Sequence, residues 1–259
     1  MRMVTYLTAY NIDIAHSREG EEARDAQALV DFLIPICKAG NSDLAWLVTA
    51  EAMQVYGGYG YCSDYPVEQL ARDSKILSLY EGTNGIQSID LMTRKLLMNR
   101  EQYSYNVFKR RIQKAIEEAK GVVDYKYISP LVRGIDKMDE IIDFLMKHLA
   151  SGRLMQIFIN ATPLREAMTM LAHAWLHLWS LTVATKKMRD LVGTLKGEER
   201  DKFLHENLEA AFYSGKVLAS QYYIGAYFHN YFGKAESILA EETAVIKSTD
   251  AIYTGAPEE

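Results

Sequence analysis

The chain has 259 residues, 49% of them apolar and 24% charged, which suits a globular protein that buries a core in one or two domains. A net charge of -5 and the lack of any basic cluster exclude a broad nucleic-acid surface, and Lys109-Arg110-Arg111 soon gives way to Glu117 and Glu118 as on a solvated helix face. Cys37 and Cys62, the only cysteines, match no zinc spacing and read as reduced thiols of a cytoplasmic protein.

The N-terminus starts apolar, but Asn11, Asp13 and His16 interrupt it before a signal core forms. Apolar spacing predicts helices over residues 2–17, 21–38 and 42–56, and Gly57-Gly58-Tyr59-Gly60 closes the third with a tight loop. Asp64-Tyr65-Pro66 opens a helix predicted to reach Tyr80, roughly 15 residues and so about 22 Å long. After the loop Glu81-Gly82-Thr83, the next helix is expected to open at Asn84, with Gln87 in the relation of a capping box.

Punctuation at Gly121-Val122-Val123-Asp124 divides the chain into units over residues 1–120 and 121–259. In the second unit Ser129-Pro130 supplies an N-cap and a first-turn proline for a stripe of Leu131, Ile135, Met138, Ile142, Leu145 and Leu149. Leu154 to Ala161 is apolar but far too short to span a bilayer, so no membrane association is expected. Thr162-Pro163 opens another helix through Val183, a third runs from Glu199 to Tyr231, and the tail from Thr254 to Glu259 reads as frayed. No segment alternates with a period of two. The predicted fold is all-α, one antiparallel helical bundle followed by a second.

Few residues suggest chemistry by themselves. Gly58-Tyr59-Gly60-Tyr61-Cys62-Ser63 lacks the last glycine of a dinucleotide fingerprint and follows a helix. His173 and His177 have the i, i+4 spacing of metal ligands, but Ala174 stands where a zinc protease needs glutamate, so they read as packing or surface residues and no metal is expected. Tyr222, Tyr223 and Tyr227 through Tyr231 read as packing side chains or as a partner surface. Glu81 sits between two helices, either as a capping or surface group or as a base.

Four blocks in order carry a family resemblance: Gln54-Val55-Tyr56-Gly57-Gly58-Tyr59-Gly60-Tyr61, Tyr65-Pro66-Val67-Glu68, Arg72-Asp73, and Tyr80-Glu81-Gly82-Thr83-Asn84-Gly85-Ile86-Gln87. Together they resemble the C-terminal signature of the acyl-CoA dehydrogenases, and Asp90-Leu91 and Arg94-Lys95-Leu96 extend the match. The length beyond about residue 120 resembles a subgroup with an additional C-terminal helical domain.

The resemblance implies α,β-dehydrogenation of an acyl-CoA thioester with FAD as cofactor. Glu81 is then the base that takes the α proton, and Gly82 lies beside the substrate carbonyl. Such a base needs a raised pKa, which burial beside an apolar substrate provides. Gln54, Gly57 and Gly58 are implied to contact the ADP portion of a flavin, usually that of a neighbouring subunit in a homo-oligomer. Thr83, Asn84 and Gly85 are implied to offer donors to the flavin, Gly85 standing where the family commonly has Glu or Gln. An electron-transfer partner is implied for the completed enzyme.

The family's N-terminal helical domain and central β domain have no counterpart in these residues. The lone chain is therefore expected neither to hold FAD tightly nor to dehydrogenate. The alternative is a stand-alone helical module for oligomerisation or interaction.

Overall fold

The computed structural model describes residues 1–255, and every regular element within them is helical, with no strand. The part of the expected frayed tail over residues 256–259 lies outside the described residues. The first four helices are α1 (Arg2–Ser17), α2 (Gly20–Pro35), α3 (Asn41–Tyr56) and α4 (Val67–Ile76). They are followed by α5 (Asn84–Asp90), α6 (Tyr103–Ala119), α7 (Tyr125–Ala150) and α8 (Leu154–Phe158). The rest are α9 (Ala161–Val192), α10 (Gly197–Glu206), α11 (Leu208–Gly225), α12 (Asn230–Leu239) and α13 (Asp250–Thr254).

Several predicted boundaries move, each for a local reason. The gap expected after residue 38 is filled by a wide π-helical turn, Ile36–Gly40, so α2 runs into α3 without leaving helical dihedrals. Helix α4 stops at Ile76, ten residues after it starts, and turns at Leu77 to Tyr80 replace the rest of the predicted 15-residue helix. Helix α7 opens before Ser129-Pro130, because the Asp124 carboxylate accepts from the backbone N–H of Lys126 at 2.9 Å and caps it there. Pro130 therefore lies inside the helix. The predicted helix from Glu199 to Tyr231 is broken at Asn207, whose side chain accepts from Ala210 N–H at 3.0 Å and starts α11, and again beyond Gly225.

The core is organised by α9. Its buried residues include Leu164, Met168, Leu171, Ala174, Leu178 and Leu181, which surround the axis instead of marking one stripe. A helix apolar on all sides belongs in an interior. It packs against α1, α5 and α6 and against α7, α11 and α12. Phe108 of α6 meets Trp175 of α9 edge-on at 5.7 Å, and Phe32 of α2 lies tilted against Phe108 at 4.9 Å. One buried apolar cluster thus runs from Val4 to Ile238, across residue 120. Gly40 lets the π-helical turn approach α9, since a Cβ there would lie 2.6 Å from Thr169 Cγ2.

Candidate functional site

The loop from Tyr80 to Thr83 leaves the end of α4 and feeds α5. Glu81 has φ 52° and Gly82 has φ 86°, two successive left-handed residues. Glycine accepts that conformation freely, whereas a glutamate there stores strain on the order of 1 kcal/mol and persists only where its surroundings impose it.

The surroundings do impose it. Lys38, carried by the π-helical turn, donates to the Gly82 carbonyl at 2.6 Å and to Asn84 Oδ1 at 3.1 Å. The Asn84 backbone N–H donates back to Ser78 O at 3.2 Å, closing the loop on itself. Desolvation lowers the Lys38 ammonium from its ordinary pKa, while the charges of Asp43 and Glu81 oppose that shift.

Helix α5 opens at Asn84 as expected, and its N-cap is Thr83, whose Oγ1 accepts from Ile86 N–H at 3.3 Å. The capping-box relation of Asn84 to Gln87 is accordingly not formed. The Asn84 side chain turns inward instead, donating to Asp43 Oδ1 at 2.7 Å, with Ser42 Oγ at 2.9 Å and Ala39 O at 3.2 Å also in reach. Its amide donors and its backbone N–H are thus engaged inside the chain, which leaves Thr83 and Gly85 as the exposed members of the expected trio.

Behind Asn84 lies a charge ladder that reaches the far half of the chain. Asp43 Oδ2 pairs with Arg165 Nη2 of α9 at 2.7 Å, and Arg165 Nε donates to Ser88 Oγ at 3.3 Å. Arg165 is 2% exposed, and Glu166 beside it pairs with Lys234 of α12 at 2.5 Å. Trp46, Lys75, Gly85 and Arg165 border a cleft of about 360 Å³ next to the loop. No local sequence pattern marks Lys38, Asp43 or Arg165 as part of the site. Each acts through a contact more than 40 residues away, for which only the irregularity after Pro35 gives a local signal.

Glu81 itself is exposed, and so are its apolar neighbours Ile76, Leu79, Tyr80 and Ile86. The carboxylate stands on an apolar rim that nothing in the described residues covers. Gln54, Gly57 and Gly58 lie elsewhere. They sit at the C-terminal end of α3 and are exposed. Helix α4 packs along α3, bringing Ser74 to Thr49 at 3.1 Å and Lys75 over the ring of Trp46. The Glu81 loop therefore neighbours the start of α3, roughly 20 Å of helix away from the glycine turn. Gly57 has φ 64°, and neither Gly57 nor Gly58 has an atom within 4 Å of where a Cβ would stand. That turn presents bare backbone to whatever approaches it.

His173 and His177 face α11, not a cleft. His177 stacks on Tyr223 with ring centroids 4.4 Å apart, and its Nδ1 lies 3.2 Å from Ser220 Oγ. Burial holds both imidazoles well below the ordinary value, His173 to about 3 and His177 to about 4.

Two family models match the sequence. The acyl-CoA dehydrogenase C-terminal domain covers residues 4–96, and the acetyl-CoA dehydrogenase C-terminal like family covers residues 108–248. A butyryl-CoA dehydrogenase of Syntrophomonas wolfei is 30% identical over 95% of this chain and 38% of its own length. A broad-specificity linear acyl-CoA dehydrogenase of Mycobacterium tuberculosis is 38% identical over 37% of this chain and 15% of its own length. Among solved structures, Caenorhabditis elegans ACDH-11 in complex with C11-CoA superposes with a TM-score of 0.58 at 15% identity, over 96% of this chain and 38% of that one. The present chain thus spans well under half the length of these relatives.

Proposed function

Because this chain belongs to the acyl-CoA dehydrogenase family and corresponds to its C-terminal helical portion, we propose that it supplies the base-bearing loop of an FAD-dependent acyl-CoA dehydrogenase. The observation that carries this reading is Glu81, held in a left-handed conformation on an exposed apolar rim by Lys38 and the Asn84 clamp.

An α C–H beside a thioester carbonyl is weakly acidic, so its removal needs a carboxylate fixed within reach of that proton. The imposed backbone at Glu81 and Gly82 supplies the fixing. In the completed enzyme the Glu81 carboxylate takes the α proton, and Gly82 lies next to the thioester carbonyl. Lys38 and Asn84 keep the loop from relaxing. The exposed Leu79, Tyr80 and Ile86 are the surface on which the acyl chain and the rest of the enzyme close, excluding water from the base.

The residues also suit FAD. The bare turn at Gly57 and Gly58, with Gln54 beside it, is where the ADP portion of a neighbouring subunit's cofactor would approach the backbone, and Thr83 and Gly85 face the flavin end. Bound there, FAD supplies the acceptor for the β hydrogen. The separation of the two groups along α3 and α4 suits a homo-oligomer in which each copy serves two cofactors. An acyl-CoA substrate and an electron-transfer partner for the reduced enzyme complete the reading.

The test is Glu81→Gln in the assembled enzyme that carries this chain together with the remaining length of its relatives. Dehydrogenation is expected to fall by on the order of 10²–10⁴-fold, the worth of a general base, with flavin content unchanged. Undiminished turnover removes Glu81 from the mechanism.

A further inference from the structure

Helices α1, α2, α6 and α9 do not close completely on one another, and a cavity of about 170 Å³ remains among them. Its lining is mostly apolar. Leu29 and Ala115 are buried, Leu7 is half-buried, and the indoles of Trp175 and Trp179 follow one turn apart on α9. Ala115 comes after Phe108 and Ile112 on the buried face of α6, and its small side chain fills less of the space than theirs. Trp175 is 5% exposed and Trp179 45%, so the cavity runs from the core out to the surface.

The mouth is charged. Arg111, Lys114 and Glu118 stand at i, i+3 and i+7 on α6, along the edge of the helix that borders the cavity. Lys114 and Glu118 are exposed and pair loosely at 3.9 Å. The neighbouring Arg110 has Asp25 at 2.9 Å, a carboxylate that the Tyr103 hydroxyl also binds. Arg111 is half-buried, and among the described residues its guanidinium has neither a carboxylate partner nor a hydrogen-bond acceptor. A planar guanidinium without a partner is matched by a planar, two-oxygen anion. Two cations and one carboxylate give the mouth a single net positive charge, which suits a monoanion better than a phosphate dianion.

We propose that this cavity binds a small aromatic carboxylate, with its ring against Trp175 and Trp179 and its carboxylate on Arg111. An apolar cavity of about 150 Å³ is enough to take up benzene, so the space admits one six-membered ring with the anion at the mouth. Benzoate has only about nine non-hydrogen atoms and should bind with a Kd on the order of 0.1–1 mM. The cavity lies within one chain and shares no residue with the Glu81 loop or the cleft beside it. The proposal therefore stands apart from the dehydrogenase reading.

Titration of the chain with benzoate, followed by the indole Nε1–H NMR signals, tests it. The chain has three tryptophans, and Trp46 borders the other cleft. Saturable shifts are expected at Trp175 and Trp179 and not at Trp46. Benzyl alcohol has the ring without the charge, and inorganic phosphate the charge without the ring; each should bind at least tenfold more weakly. Arg111→Met should weaken benzoate at least tenfold and Arg111→Lys less, with helical circular dichroism unchanged in both. No saturation below about 10 mM overturns the proposal. So do equal affinities for benzoate and benzyl alcohol, shifts confined to Trp46, or an unchanged Kd in Arg111→Met. The assembled enzyme should show the same shifts. Their loss there would mean that the remaining length of its relatives fills the cavity, and would overturn the proposal as well.

Discussion

Arg165 and Asp43 meet at 2.7 Å across the two halves of the chain, and Asp43 in turn holds Asn84, the residue that closes the Glu81 loop. A guanidinium 2% exposed is tolerated only with partners, here Asp43, Ser88 and Glu166. Arg165→Ala leaves Asp43 without its cation and Asn84 with a looser anchor. Because Asp43 remains partly open to solvent, the expected cost is about 1–3 kcal/mol in urea unfolding. In the assembled enzyme the same change should lower kcat more than it raises KM, since the loop and not the substrate loses its support. Equal stability of variant and native chain would dismiss the brace.

Gly40 gives a second check on how the halves join. Gly40→Ala sets a methyl 2.6 Å from Thr169 Cγ2 and 2.7 Å from its Oγ1, and the buried Thr169 side chain is held by its own hydrogen bond to Arg165 O at 2.8 Å. Overpacking of this kind costs about 1–3 kcal/mol. Thr169→Ala in the same chain should recover part of the loss. If Gly40→Ala unfolds at the native urea midpoint, the contact is not as tight as described.

Acid should loosen the seam between α9 and α11. His173 and His177 are held neutral by burial, with folded values of about 3 and about 4 against an ordinary 6.5. The unfolded chain therefore binds their protons first. Their contribution is fully present above pH 6.5 and is lost as pH falls from there toward 4 for His177 and toward 3 for His173. At pH 5.5 each should cost on the order of 1 kcal/mol relative to pH 7.5. His177→Phe should flatten part of that slope, read from urea midpoints at the two pH values; an unchanged slope excludes His177 from it.

Mixed with FAD and passed through gel filtration, the isolated chain is expected to emerge colourless. Glu81 and Thr83 lie exposed at one end of the α3–α4 pair and the Gly57 turn at the other, so among the described residues no single concave surface brings them together around a flavin. A flavin spectrum that travels with the protein would refute this expectation.

Much of the arrangement is legible from local sequence, because helical periodicity is a local property. The stripe from Leu131 to Leu149 and the signature from Gln54 to Gln87 both read directly, and the all-α architecture follows. Caps are less legible. Thr83 and Asn84 are both good N-cap residues, and the choice falls to Thr83 because Asn84 finds better partners in Asp43 and Ser42. Likewise Ser129-Pro130 has the form of a helix start, yet Asp124 caps α7 first. Lys38 and Arg165 are invisible to a local reading because Gly82 lies 44 positions from the first and Asp43 lies 122 from the second, and only the folded chain brings them to the loop.

The central claim is that the Glu81 carboxylate removes the α proton of an acyl-CoA thioester. Exchange of that proton with deuterated solvent, followed by mass spectrometry on a saturated acyl-CoA bound to the assembled enzyme, isolates this step from later electron transfer. The account predicts rapid exchange with native protein and at least a hundredfold slower exchange with Glu81→Gln at equal flavin content. Exchange at the native rate in Glu81→Gln would contradict it.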